Sequence, residues 1–155
     1  HLQCAPADVE RQAADINTWV EWYGGDMRVI ETICQMCPET AFIGHGPGFW
    51  REMSGDCDQV EGSYPKGPVT PGGRLIEVLR RCPNLHCDIS AGSGANGVGR
   101  DLENGRRFCL EFQDRILFGR DYFDRQQMDV LDSLHLDEEV LEKIYHRNAE
   151  RLVRD

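Results

Sequence analysis

Long apolar runs and basic clusters are both missing from this sequence. No apolar stretch approaches the roughly 18 to 20 residues that a membrane-spanning helix needs. Lys and Arg do not cluster, since Arg80-Arg81 and Arg106-Arg107 are isolated pairs. The 155 residues include 27 acidic and 17 basic side chains, and the resulting formal charge of −10 repels phosphate backbones. We therefore expect neither a membrane nor a nucleic acid as a partner.

A signal-peptide pattern and an even number of cysteines are also missing. Seven cysteines without a leader fit free, mostly buried thiols in a reducing compartment better than a disulfide framework, so we expect a cytoplasmic protein. The hydrophobic share of 40% is ordinary for a globular protein, and the length suits a single domain over residues 1–155. Because the chain begins with His1, we expect it to be a piece of a larger protein.

Helical and strand-like patterns alternate from about residue 26 onward, whereas residues 1–23 predict a loop with some helix. Apolar spacing and turn residues predict helices over 26–36, 71–82 and about 102–112, strands over 40–45, 85–90 and 116–119, loops over 46–70 and 91–97, and two C-terminal helices, the last capped by Asp137. Strands that alternate with helices of this length imply right-handed βαβ crossovers. The predicted fold class is therefore α/β with a parallel sheet.

Polar residues follow the predicted strands at their carboxyl ends, where parallel sheets place ligand sites. His45 closes one strand beside a glycine-rich turn, and an imidazole there can bind a metal or move a proton near neutral pH. Asp121 ends another strand, where a carboxylate can bind a metal or act as a base. A histidine and a carboxylate on neighbouring strand ends are the composition that a hydrolytic metal site requires. The alternatives are a hydrogen-bonded structural histidine and a loop-capping aspartate.

Cys34 and Cys37 have the Cys-x-x-Cys spacing, which can hold zinc or shuttle a disulfide. Both lie on the apolar side of the predicted helix, and no second pair has zinc-finger spacing, so buried packing thiols are the favoured interpretation. The glycine-rich segment 91–97 lacks both the lysine of a phosphate-binding loop and the strict dinucleotide spacing, and we expect it to line the site. The remaining histidines are expected at surface or helix-face positions: His86, His135 and His146.

Five separated blocks of sequence resemble, in this order, the C-terminal half of an amidohydrolase-related (β/α)8-barrel protein. They are FIGHGPGFW at 42–50, YPKGP at 64–68, NLHCDISAGSG at 84–94, RILFGRDYF at 115–123 and NAERL at 148–152. The family includes metal-dependent hydrolases, decarboxylases and related hydratases. The resemblance implies a partial TIM barrel that runs from the end of the fifth strand through the eighth βα unit and a C-terminal helix.

The resemblance also implies a divalent metal, commonly zinc or manganese, at the C-terminal face of the barrel. By position, His45 matches a sixth-strand histidine that binds the metal or serves as acid and base. Asp121 matches an eighth-strand aspartate that binds the metal, and His1 matches a fifth-strand histidine. Asp88 and Ser90 match the seventh strand, where they would line the substrate pocket. The first-strand ligand pair of the family has no counterpart in this sequence.

A metal-dependent enzyme that hydrolyses or decarboxylates a small carboxylate, amide or ester substrate is the implied function. Arg51 or Arg120 would hold a substrate carboxylate, and the loop over 47–68 would form part of a lid. A whole barrel needs about 250 residues, so the expected partner is the missing N-terminal half of the barrel or a second copy of this chain. With a partial ligand set, the chain alone is expected to show little turnover. The alternative is a non-catalytic half-barrel that serves as an interaction or scaffold domain without metal.

Overall fold

A computed structural model of the chain describes residues 2–3 and 27–154. The strands are β1 (Leu2–Gln3), β2 (Phe42–His45), β3 (Leu85–Asp88) and β4 (Ile116–Leu117). The α-helices are α1 (Met27–Met36), α2 (Pro47–Arg51), α3 (Arg74–Arg81), α4 (Ala91–Gly99), α5 (Leu102–Glu111), α6 (Gln126–Ser133), α7 (Glu138–Glu142) and α8 (Asn148–Arg154). One π-helical turn, Lys143–Arg147, joins α7 to α8. His1 and most of the segment 1–23 lie outside the described residues.

The four strands form one parallel sheet in the order β1-β2-β3-β4. Leu2 lies level with Gly44, and Gly44 lies level with Cys87 on the next strand. Helices connect β2 to β3 and β3 to β4, as parallel neighbours require. The predicted α/β fold with a parallel sheet is therefore confirmed.

The apolar core lies between this sheet and its helices. Leu85 and Ile116 on the strands and Leu79 and Leu131 on the helices belong to one apolar cluster, and all four are fully buried. A chain of aromatic contacts crosses the same layer, with Trp50, Phe108 and Phe112 following one another at ring distances of 5.8 and 5.2 Å. Among the described residues, no helix has the length and apolar character that crossing a bilayer demands.

The segment predicted as a glycine-rich loop over 91–97 is helix α4 instead. Glycine is a poor helix former, but packing overrides that preference here. A Cβ at Gly94 would overlap the backbone of Ile89, and one at Gly97 would lie 2.6 Å from the ring of Trp50. The missing side chains let α4 approach the end of β3 and helix α2 closely. The long loop predicted over 46–70 is also corrected, because its first residues form α2.

Two further expectations about the C-terminal third are corrected. Strand β4 ends at Leu117 rather than at residue 119, because the next amide, that of Phe118, donates to the carbonyl of Ile144 at 3.0 Å. Asp137 does precede α7, but its side chain makes no capping hydrogen bond. Its backbone carbonyl accepts the amides of Val140 and Leu141 instead.

The C-terminal helical segment holds the outer edge of β4. The amide nitrogen Nδ2 of Asn148, a residue that is 1% exposed, donates to the carbonyls of Ile116 and Gln113 at 2.8 and 2.7 Å. The π-helical turn just before Asn148 contains Ile144, whose carbonyl accepts the Phe118 amide. Strand β4 therefore has its backbone groups bonded on both sides, to β3 on one and to this segment on the other.

Candidate active site

The carboxyl ends of β2, β3 and β4 bring the predicted site residues to one edge of the sheet. Gly44 lies level with Cys87, so the next residues along, His45 and Asp88, also lie side by side. Ser90 follows β3 by two residues, and Asp121 follows β4 by four. Parallel strands place these ends together, as the strand pattern predicted.

His45 has a different group on each side of its ring. On one side, Nδ1 lies 3.2 Å from Ser90 Oγ and 3.3 Å from Asp88 Oδ2. On the other side, Nε2 lies 3.8 Å from Asp121 Oδ2. The histidine and the aspartate that the sequence singled out therefore face each other, and Asp88 and Ser90 contact the same ring.

The two aspartates on either side of the His45 ring differ sharply in burial. The side chains of His45 and Asp88 are 13% and 16% exposed, whereas that of Asp121 is 47% exposed. Asp121 has a backbone φ of 60°, in the left-handed region that aspartate tolerates better than most residues. Such conformations are frequent at functional sites, where they aim a side chain in a direction that regular backbone does not allow.

Buried neighbours fix the backbone that carries His45 and Asp88. The indole Nε1 of Trp50 donates to the carbonyl of Asp88 at 3.0 Å, and Trp50 is 2% exposed. A Cβ at Gly44 would overlap the ring of Phe49, and one at Gly119 would lie 3.0 Å from Asp88 Oδ1. The sequence gives no sign that Trp50 supports Asp88, because the two residues are 38 positions apart and meet only in the fold.

The two arginines predicted to bind a substrate carboxylate both hydrogen-bond to loop carbonyls. Arg51 donates to the carbonyls of Cys57 and Val60, and Arg120 donates to that of Asp124 at 2.8 Å. Arg51 thereby stabilises the loop after α2, and Arg120 stabilises the turn that carries Asp121. A substrate contact by either residue stays a prediction.

Cys34 and Cys37 do not form a common buried site. Cys34 is buried and Cys37 is exposed, which corrects the expectation that both are packing thiols. Burial raises the pKa of the Cys34 thiol to about 12, with a further contribution from the neighbouring Cys82. A buried thiol that keeps its proton near neutral pH is a poor nucleophile. The structure therefore gives the Cys-x-x-Cys pair no support as a zinc or redox centre.

His86 is buried on β3, at 6% exposure, and is not the surface residue that the sequence predicted. Burial lowers the pKa of its imidazole below the ordinary value of 6.5. His135 and His146 lie outside the core, and His146 Nδ1 lies 3.2 Å from Glu150.

A second cluster of potential metal ligands was missed by the sequence analysis. Glu52, Cys57 and Asp58 each offer a ligand atom within 4.8 Å of the others. Arg74 forms ion pairs with both carboxylates and lies 3.1 Å from the Cys57 sulfur. Arg74 offsets part of the negative charge of this cluster, so its geometry is that of an ion-pair network which anchors the loop to α3.

The fold and the candidate site define a class of protein. It is an α/β protein with a parallel sheet and a polar site, made of a histidine and carboxylates, at the carboxyl edge of that sheet. The model of the family described as Amidohydrolase matches residues 70–154, more than half of the chain. This protein belongs to the amidohydrolase family, and that membership indicates a hydrolase-like function. Neither the curated proteins nor the solved structures compared with the chain gave a match.

The donor set fits a divalent metal in part. Family members commonly use divalent metal ions. An imidazole nitrogen and a carboxylate oxygen suit zinc or manganese, and His45 Nε2 and Asp121 Oδ2 face each other across 3.8 Å. Within the described residues these are two candidate ligands, whereas catalytic sites usually take three from the protein. Asp88 lies on the opposite side of the ring, 3.3 Å from Nδ1.

Proposed function

We propose that this chain supplies part of the active site of a metal-dependent amidohydrolase. The observation that carries the proposal is the approach of His45 Nε2 and Asp121 Oδ2 to 3.8 Å at the carboxyl edge of a parallel sheet. The supporting chemistry is that of hydrolytic metal sites, which combine imidazole and carboxylate ligands. Hydrolysis of a small amide or ester is the favoured reaction, and decarboxylation of a small carboxylate is the alternative within the same family.

His45 and Asp121 would hold the metal, zinc or manganese, together with ligands outside the described residues such as His1. A divalent ion in such a site polarises a substrate carbonyl and lowers the pKa of water toward about 7. Asp121, which is half exposed, would accept a proton from an attacking water. If His45 does not bind the metal, its Nε2 would instead act as a base toward the substrate or water. Asp88 and Ser90 limit the ring of His45 to one orientation during these transfers.

We further propose that the described strands form half of a (β/α)8 barrel. Four parallel strands in consecutive order, with polar residues at their carboxyl ends, support this proposal. The other half would come from an N-terminal segment or from a second copy of the chain. Because the outer edge of β4 is bonded to the C-terminal segment, pairing at that edge would require Asn148 and Ile144 to give up their hydrogen bonds.

Metal content and thermal stability test the proposal. The purified chain should contain zinc or manganese, or show a higher melting temperature when either is added at pH 7.5, with magnesium as the control ion. Product analysis by NMR on a panel of small amides, esters and carboxylates would then separate hydrolysis from decarboxylation. The absence of both bound metal and a thermal shift would favour a non-catalytic scaffold.

A further inference from the structure

The ring of His45 is contacted on Nδ1 by two groups with different hydrogen-bonding abilities. Ser90 Oγ lies 3.2 Å away, and Asp88 Oδ2 lies 3.3 Å away. A hydroxyl can donate to Nδ1 or accept from it, so Ser90 is compatible with either neutral tautomer of the imidazole. An ionised carboxylate only accepts, so Asp88 is compatible with one tautomer, the one that carries hydrogen on Nδ1.

Asp88 is held in place by contacts that do not involve His45. The backbone amide of Ser90 donates to Asp88 Oδ1 at 2.8 Å, and the indole of Trp50 donates to the Asp88 carbonyl at 3.0 Å. The first contact fixes one carboxylate oxygen, and therefore turns the other oxygen toward the imidazole. The absence of a Cβ at Gly119 leaves the space that this orientation needs, since a Cβ there would lie 3.0 Å from Oδ1.

In the opposite tautomer, the lone pair of His45 Nδ1 would face a lone pair of Asp88 Oδ2 across 3.3 Å. With hydrogen on Nδ1, that repulsion becomes a charge-assisted attraction. The lone pair of Nε2 is then directed to the side of the ring where Asp121 Oδ2 lies. Two electron-rich atoms that face each other in this way favour a cation between them.

We propose that Asp88 is a positioning residue that fixes the Nδ1–H tautomer of His45 and so presents Nε2 as a ligand or base. The role differs from the substrate contact that the sequence predicted for Asp88. Its catalytic meaning rests on the proposed function, but the tautomer is a property of the metal-free chain. Outer-shell carboxylates of this kind typically change metal affinity by about 10- to 100-fold when removed.

The test is long-range ¹H–¹⁵N NMR on the full chain with ¹⁵N-labelled histidine, metal-free, at pH 8.5, where neutral imidazoles predominate. His45→Gln identifies the His45 signals by their loss. In the wild type, Nδ1 should show the shift of a protonated nitrogen and Nε2 that of an unprotonated one. Asp88→Asn should reverse this pattern, because the Ser90 amide retains the amide oxygen and turns the NH2 group toward Nδ1.

Ser90→Ala is the matched control, since it removes the hydroxyl but keeps the backbone amide and Asp88. It should retain the wild-type tautomer, and circular dichroism should show all variants folded. Hydrogen on Nε2 in the wild type, or an unchanged pattern in Asp88→Asn, would overturn the proposal. Titration of the same variants with zinc and with manganese separates the two claims. An Nδ1–H tautomer in a chain that binds neither ion would refute the proposed function alone, and binding of either ion with the other tautomer would refute only the role of Asp88.

Discussion

Removal of the Asn148 side chain should destabilise the fold more than any ordinary surface substitution. Asn148 is 1% exposed, and its Nδ2 donates to the carbonyls of Ile116 and Gln113 at 2.8 and 2.7 Å. Asn148→Ala deletes both hydrogen bonds and leaves the Ile116 carbonyl without its partner at the edge of β4. Each hydrogen bond contributes about 0.5 to 1.5 kcal/mol, and a stranded buried carbonyl costs about 1 to 3 kcal/mol.

The higher helix propensity of alanine offsets a few tenths of a kcal/mol of this loss, so the expected destabilisation is about 2 to 4 kcal/mol. Urea unfolding followed by circular dichroism measures it as a lower midpoint with an unchanged slope. Val153→Ala, in the same helix and at a position that is 86% exposed, is the control and should stay within about 0.5 kcal/mol of the wild type. An Asn148→Ala chain as stable as this control would refute the claim that the segment secures β4.

Three other perturbations test separate parts of the structure. Gly97→Ala should destabilise the fold by about 1 to 3 kcal/mol through overpacking, because its Cβ would lie 2.6 Å from an indole ring. Gly92→Ala in the same helix, with its nearest atom at 3.5 Å, should be neutral or stabilising, and equal melting temperatures would contradict the packing argument. Because burial lowers the pKa of His86 below 6.5, the unfolded state binds its proton first, and the free energy of unfolding should fall as the pH drops below about 6.5. In urea unfolding measured across this pH range, His86→Gln should reduce the fall in the free energy of unfolding. An unchanged dependence on pH would exclude the histidine as its source. Iodoacetamide at pH 8 should label Cys37 well before Cys34, as read by peptide mass spectrometry, and equal labelling would contradict their different burial.

The alternation of strands with helices, and the sheet edge that carries the candidate site, were predictable from the sequence. Apolar spacing that switches between helical and strand periods predicted the alternation, and alternation alone implies parallel strands. The carboxyl ends of such strands must share an edge, which is why His45 and Asp121 were expected together. Their separation of 3.8 Å agrees with that expectation, while their roles in metal binding and catalysis stay predictions.

Several of the errors come from packing and hydrogen-bond contacts that the local sequence pattern does not reveal. Helix α4 looked like a loop because its glycines are poor helix formers, and the benefit of their small size depends on Ile89 and Trp50. Strand β4 is short because Ile144, far along the chain, takes the next backbone amide. The contact of Asp88 with His45 depends on strand register, which the sequence pattern did not specify.

The identity of the site as a metal centre is tested most directly by isothermal titration of zinc and manganese into the metal-free chain. The comparison is between the wild type and the near-isosteric variants His45→Gln and Asp121→Asn, with folding checked by circular dichroism. We predict saturable binding of one ion by the wild type and affinity at least about tenfold weaker in each variant. Wild-type affinity in both variants, or no binding by the wild type, would contradict the assignment of His45 and Asp121 as metal ligands.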